Sequence, residues 1–208
     1  MLTHKAALAP LSANGSWRAF TPADGLAGLH VSGIVEDHEG YLWFATGTAG
    51  VSRFDGDSFC TFTTRDGLCD DQVRAILCDR QGRIWFGTLR SGVCWYEAGS
   101  FHRFAADQWA SRGMITSIAE RPDGRIWLCG RGGIGCFDGH ELLDLTPAYR
   151  EACGSGPVWS RGVAVDSAGH VWFGCQHLVR WDGSRCRCFG AEDGLDRLPG
   201  GPVTSAVA

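Results

Sequence analysis

One phrase is written four times in this chain. It stands as YLWFATGTAGVSRFDG from Tyr41, RIWFGTLRSGVCWYEAG from Arg83, RIWLCGRGGIGCFDG from Arg125 and HVWFGCQHLVRWDG from His170. Its tryptophans, Trp43, Trp85, Trp127 and Trp172, follow one another at intervals of 42, 42 and 45 residues. A fixed period of this length restricts the chain to a repeat architecture, either a solenoid or a propeller.

The content of one unit decides between them. In the second, QVRAILCD (Gln72 to Asp79) is rich in β-branched and aliphatic residues and reads as a strand. RQG turns the chain, and RIWFGT (Arg83 to Thr88) is the next strand. LRSG turns again, VCWYEA is the third strand, GS the next turn, and FHRFAA (Phe101 to Ala106) the fourth. Ile84 and Phe86 point one way and Trp85 the other, so this strand is apolar on both faces. That pattern suits a sheet held between two neighbours. Four strands per 42 residues is the blade of a β-propeller. The 30 glycines among 208 residues fit many tight turns. They oppose a helical repeat, because glycine costs about 1 kcal/mol at an interior helix position. No segment carries a 3.6-residue apolar rhythm long enough for a helix.

The expected fold is all-β: a β-propeller of four-stranded antiparallel blades. About four full blades run over residues 31–62, 72–104, 114–145 and 160–189, with a half-blade at each end. WRAF (residues 17–20) resembles an orphan fourth strand, and PVTSAVA (residues 202–208) a first strand. Residues 1–16 form a poorly structured lead. Propellers close with typically four to eight blades. The chain is therefore expected to be a fragment of a longer product, or to finish its ring with further blades or a second chain.

Composition excludes several classes. A net charge of −4 without a basic run opposes binding driven by phosphate neutralisation, so no nucleic acid is expected. No window approaches 18 apolar residues, so no membrane contact is expected. The apolar patch from Ala6 to Leu11 is broken by Pro10 and makes a poor secretory signal. That leaves a cytoplasmic location or a missing start. The ten cysteines are irregularly spaced and contain no CxxC pair, which removes the zinc-ribbon and thioredoxin readings. Cys129 and Cys136 flank a predicted hairpin turn and are the expected disulfide in an oxidising compartment. The other thiols read as buried or idle. The seven histidines show no ligand spacing, so neither a metal nor a cofactor is expected. GRGGIG (Gly130 to Gly135) mimics a phosphate loop but reads as a turn between strands.

A second motif surrounds each tryptophan. Asp37, Gly40 and Trp43 share one spacing with Asp79, Gly82 and Trp85, and with Asp166, Gly169 and Trp172. The third copy keeps Gly124 and Trp127 but has Arg121 in place of the aspartate. The expected role is scaffold: Asp accepts turn N–H bonds, Gly permits a positive φ, and Trp wedges between blades. Repetition itself opposes a catalytic reading, since an active site needs one unusual residue rather than one per blade.

Asp-Gly-Leu precedes the repeats at Asp24, Asp66 and Asp193. The full phrase resembles the two-component regulator propeller repeat: an acidic-Gly-Leu turn, a Val/Ile strand, Asp-x-x-Gly, Leu-Trp-Phe-Gly-Thr and an aromatic-Asp-Gly turn. Leu128-Cys129 departs from that pattern, and the fourth copy lacks the Asp-Gly-Leu turn. The resemblance covers nearly everything from Trp17 onward. It implies the extracytoplasmic (periplasmic) sensor region of a receptor of the histidine-kinase type. There, propellers bind ligands, often oligosaccharides, and act on an output domain absent from this chain.

Function in a propeller concentrates where the turns between second and third strands meet the connectors into first strands. There the copies differ most, with Thr48 and Ala49, Arg90, Arg131, and Gln176 and His177 at the tips. Gln72, Trp159 and Arg161 stand in the connectors. Arg and Gln beside an aromatic platform suit a carbohydrate or other small ligand. The alternatives are a propeller enzyme of the lyase or glycosidase kind, or a bare protein-interaction platform. An enzyme would require a cluster of His, Glu or Tyr at one mouth, and Glu is sparse and Tyr rare here.

Overall fold

A computed structural model describes residues 17–104, 110, 113–131, 133–154 and 158–195. It contains four sheets of four strands, each sheet a simple antiparallel meander. The first holds β1 (Val31–Glu36), β2 (Leu42–Thr46), β3 (Val51–Phe54) and β4 (Phe59–Phe62). The second holds β5 (Val73–Cys78), β6 (Ile84–Thr88), β7 (Val93–Glu97) and β8 (Ser100–Arg103). The third holds β9 (Ile115–Glu120), β10 (Ile126–Gly130), β11 (Gly133–Phe137) and β12 (Leu142–Asp144). The fourth holds β13 (Gly162–Val165), β14 (Val171–Gly174), β15 (Leu178–Trp181) and β16 (Cys186–Phe189). The first strands line the inside: β1 packs on β5, β5 on β9, and β9 on β13. The sheets are therefore blades around one axis, a partial β-propeller.

Each pair of neighbouring blades encloses one core. Trp43, Trp85 and Trp127 are fully buried and reach across to the next blade. Trp43 lies 5.9 Å from Phe86 and 5.2 Å from Tyr96, Trp85 lies 5.7 Å from Phe137, and Trp127 lies 6.0 Å from Phe173. The inner strands approach closely because small residues face the next blade. A Cβ built on Gly33 would meet Ile76 Cγ2 at 2.8 Å, and one on Gly87 would meet Ile115 Cγ2 at 2.7 Å. β6 and β10 are buried along their whole length, as strands apolar on both faces require.

Among the described residues β13 and β1 share no packing like that between successive first strands, so the arc is open there. Ile34 is 56% exposed, whereas Ile118 and Val163 at the same repeat position, each facing a preceding blade, are 9% and 8% exposed. The Asp-Gly-Leu turns tell the same story from the other end. Each forms a short 3-10 turn whose aspartate caps its start, as Asp24 does for Thr21 and Asp66 for Thr63. The turns dock on the outer strand of the blade that follows, with Gly25 against Phe59 and Gly67 against Phe101. Leu26 and Leu68 are consequently buried. Leu195, in the last copy, is 37% exposed.

Three expectations are corrected. Residues 17–20 form no strand, since among the described residues no third strand of a preceding blade stands beside them to pair with. Phe20 nevertheless lies 5.3 Å from Phe54 and 5.4 Å from Phe59, the place that Phe62 takes against Tyr96 and Phe101 in the next blade. Among the described residues one α-helix is present, α1 (Thr146–Cys153), in the connector into the fourth blade. Its 8 residues are too few to show a periodicity, but Pro147 suits a first turn and Tyr149 anchors it in the core. Finally, the disulfide joins Cys69 and Cys94, whose Cα atoms are 6.1 Å apart. Cys129 and Cys136 are free. Cys129 pairs with Ile134 and Cys136 with Trp127, so the two thiols sit at different rungs of the ladder. Burial pushes each of them up to about 12. Residues 1–16 and 202–208 lie outside the described residues. Among the described residues no helix is long and apolar enough to cross a membrane.

Candidate functional site

The repeated Asp–Trp motif is a hydrogen-bonded box. Asp37 Oδ1 accepts from the N–H groups of Glu39 and Tyr41, and its Oδ2 accepts from Trp43 Nε1 at 2.7 Å. Asp79 accepts from the N–H groups of Gln81 and Arg83 and from Trp85 Nε1, and also from Arg83 Nε at 2.6 Å. Asp166 repeats the pattern with Ala168, His170 and Trp172. The Trp172 bond is the main reason the Asp166 carboxyl is lowered to about 2. These carboxylates are fully engaged in fixing the turn and the indole, so the motif builds scaffold.

The third blade shows what its missing aspartate leaves behind. Trp127 Nε1 is buried and has no hydrogen-bond partner among the described residues. A buried unpaired donor costs about 1–3 kcal/mol. Trp127→Phe should therefore leave stability within about 1 kcal/mol of wild type, the lost area being offset by removal of the unpaired N–H. Trp85→Phe should cost about 1.5–3 kcal/mol, because it strips a bond to a charged group. Urea melts of the two variants compare them directly.

The rim that carries the divergent tips is stitched by backbone bonds. Gly50 N donates to Asp71 O at 2.7 Å, Gly92 N to Gly113 O at 3.0 Å, and Ser160 N to Gly130 O at 3.3 Å. Each tip is thereby fixed to the connector entering the next blade. Within the first two tips, the Thr46 and Thr88 hydroxyls donate to Gly50 O and Gly92 O. Gly50 and Gly92 have φ of +87° and +71°, which a residue with a side chain rarely adopts. Gly130 and Cys175 stand where those threonines would be, so the third and fourth tips are held differently.

Of the residues expected to bind, Arg131, Trp159 and Arg161 come together. Arg131 and Trp159 form an isolated antiparallel bridge. The guanidinium carbons of Arg131 and Arg161 lie 6.0 and 5.6 Å from the centre of the Trp159 ring, within cation–π range. Trp159 is still 46% exposed. Arg90 continues this rim: its carbonyl accepts from Gly113 N at 2.8 Å, and the adjoining Met114 O accepts from Arg131 N at 2.9 Å. Gln72 sits beneath Arg90, its carbonyl accepting from Leu89 N, and its side-chain Oε1 is buried without a partner among the described residues. Gln176 and His177 are exposed on the neighbouring tip. That tip stands close to the Trp159 group, because Arg161 N donates to Gly174 O at 2.8 Å. Thr48 is exposed and Ala49 partly buried on the first tip.

The electrostatics follow from who lacks a partner. Arg90, Arg131 and Arg161 have no carboxylate within ion-pair distance among the described residues, whereas Arg80, Arg83, Arg121, Arg125, Arg185 and Arg187 each have one. The nearest acids on the rim are occupied: Asp70 accepts from the N–H groups of Gln72 and Arg90, and Asp71 from Thr64. The rim thus presents three free guanidinium groups and one aromatic face on a chain of net charge −4. Guanidinium forks suit carboxylate or sulfate oxygens, and an exposed indole suits the apolar face of a sugar ring.

Sequence reading missed a second feature, a cleft of about 500 Å³ at the outer edge of the fourth blade. Arg180, Arg185, Arg187, Cys186 and Cys188 line it beside the end of α1. Arg185 and Arg187 are paired there with Asp182 and Asp193 at 3.6 and 2.8 Å. No group of three His, Cys, Asp or Glu side chains among the described residues is placed to hold a metal ion.

Comparison with known proteins places these features in context. Residues 25–48 and 67–90 match the family described as "Two component regulator propeller". Both stretches run from the Asp-Gly-Leu turn to the tip, in the two blades that keep the whole phrase. Among solved structures, the chain is similar to the extracellular domain of BT3049 from B. thetaiotaomicron, assigned as a hybrid two-component system. The identity is 21% and the TM-score 0.64, over 76% of this chain and 22% of that one. It is also similar to the extracellular domain of BT4673 from the same organism (20% identity, TM-score 0.60, 79% of this chain and 25% of that one). Virginiamycin B lyase from Staphylococcus aureus shares the fold at 16% identity and a TM-score of 0.59, over 77% of this chain and 55% of that one. The chain thus spans less than a quarter of the first of these structures and about half of the lyase. A search of curated proteins finds no match.

Proposed function

We infer that this chain, a partial propeller carrying two-component regulator propeller repeats, is a ligand-sensing segment of a signalling receptor. Its ligand is an acidic oligosaccharide, taken on the rim by Arg131, Trp159 and Arg161. The single observation that carries this reading is the pair of carboxylate-free guanidinium groups flanking an exposed indole. Arg90 extends the same positive rim. The segment acts outside the cytoplasm and does no chemistry of its own; its likeness to a lyase is a likeness of fold. Further blades cover the open faces at Ile34 and Leu195, which support a longer ring. Binding at the rim shifts how the tips and connectors of neighbouring blades pack, and this biases an output domain elsewhere in the receptor.

A panel of uronic-acid-containing and neutral oligosaccharides, titrated calorimetrically, tests the reading. The acidic members should bind and the neutral ones should bind more weakly. A hydrogen bond to a charged group is worth about 1.5–3 kcal/mol. Arg131→Ala and Arg161→Ala should therefore each weaken binding by about 10- to 100-fold. Unchanged affinity in both variants would refute the site, and equal binding of acidic and neutral sugars would refute the ligand class.

A further inference from the structure

α1 ends at Cys153 and lies against β16, which carries Cys186 and Cys188. Cys153 and Cys188 are both partly buried against the core between the third and fourth blades, and both are free. α1 thus brings Cys153 to the strand that carries Cys188, and after burial the neighbouring Cys188 thiol does most to raise the Cys153 thiol above the ordinary range.

A connector is tied to its blade by a covalent bond two blades earlier. Cys69 follows Leu68 of the Asp-Gly-Leu turn, in the connector into the second blade, and is bonded to Cys94 on β7 of that blade. The connector into the fourth blade lacks the Asp-Gly-Leu turn, and α1 replaces it. We propose that Cys153 and Cys188 form a second connector-to-blade disulfide, which ties α1 to the blade it leads into.

The bond forms by exchange with a small disulfide of the glutathione class. The thiolate of Cys188 attacks one sulfur of oxidised glutathione and releases one glutathione thiolate. Cys153 then gives up its proton and displaces the second glutathione from the mixed disulfide. Two protein thiols lose two protons and two electrons, and one glutathione disulfide becomes two thiols. Cys153 stands six residues ahead of Trp159. The bond therefore anchors the chain six residues ahead of Trp159, whether or not Trp159 and Arg161 take a sugar.

Peptide mapping tests the pairing. The whole chain is folded in a reduced and oxidised glutathione buffer, alkylated, and cut with trypsin without reduction. Cleavage separates Cys153 (residues 151–161) from Cys188 (residues 188–197), and Arg187 separates Cys186 from Cys188. The expected product joins 151–161 to 188–197, alongside 66–74 joined to 91–103. Cys188→Ser should lose the first of these and lower the Tm of the oxidised protein by several degrees. Alkylated Cys153 and Cys188 beside an intact Cys69–Cys94 bond, or Cys153 joined to Cys186, overturns the proposal. The map of the wild-type chain decides even if the variant fails to fold.

Discussion

Asp79→Ala should destabilise this protein by about 3–5 kcal/mol, the cost of removing one partner of a buried ion pair. The Asp79 side chain is fully buried and holds Arg83 Nε at 2.6 Å, with the Arg83 side chain itself 10% exposed. Deleting the carboxylate strands that guanidinium, the Trp85 indole N–H and two backbone N–H groups. Domain stabilities of about 5–15 kcal/mol make this a large fraction of the total. Asp37→Ala is the internal comparison. Asp37 holds two backbone N–H groups and the Trp43 indole but, among the described residues, no arginine. It should cost visibly less, about 1–3 kcal/mol. Equal midpoints for the two variants in urea would show that the buried pair adds nothing to the box.

Trp85→Ala is the second large effect, at about 3–5 kcal/mol. Trp85 is fully buried and stacks 5.1 Å from Trp95 in its own blade while lying 5.7 Å from Phe137 in the next. Its loss opens a cavity between two blades that rigid strands cannot collapse to fill. Trp172 occupies the same repeat position but faces no following blade among the described residues and is only partly buried. Trp172→Ala should therefore cost less than half as much in this chain. A Trp172 variant as damaging as the Trp85 variant would mean that something already covers the fourth blade.

The architecture was legible because a propeller repeats itself. The 42-residue spacing of the tryptophans and the paired apolar faces of Ile84-Trp85-Phe86 specify blades before any coordinate is known. The Asp–Trp box was only half legible. The turn bonds to Asp37, Asp79 and Asp166 follow from local spacing. The bond to the indole depends on the twist of a strand six residues away. α1 escaped because eight residues with one buried tyrosine carry no visible period. The disulfide escaped because Cys69 and Cys94 meet only when the connector folds back over β7, a contact 25 residues apart in sequence. At the rim, disagreement between copies singled out candidate residues, yet it could not show which of them meet. Gln176 and His177 belong to a neighbouring tip, while Arg131, Trp159 and Arg161 share one cluster through a bridge between a tip and a connector.

The repeats build the scaffold, and the proposed function lies on the rim. Hydrogen–deuterium exchange tests this most directly, with the tightest-binding acidic oligosaccharide of the panel added at saturation. Protection should concentrate at the tip around Arg131 and the connector from Trp159 to Arg161, with the Asp–Trp turns unchanged. Protection centred instead on the cleft at Arg180, Arg185 and Arg187, or spread evenly over the blades, would contradict the account.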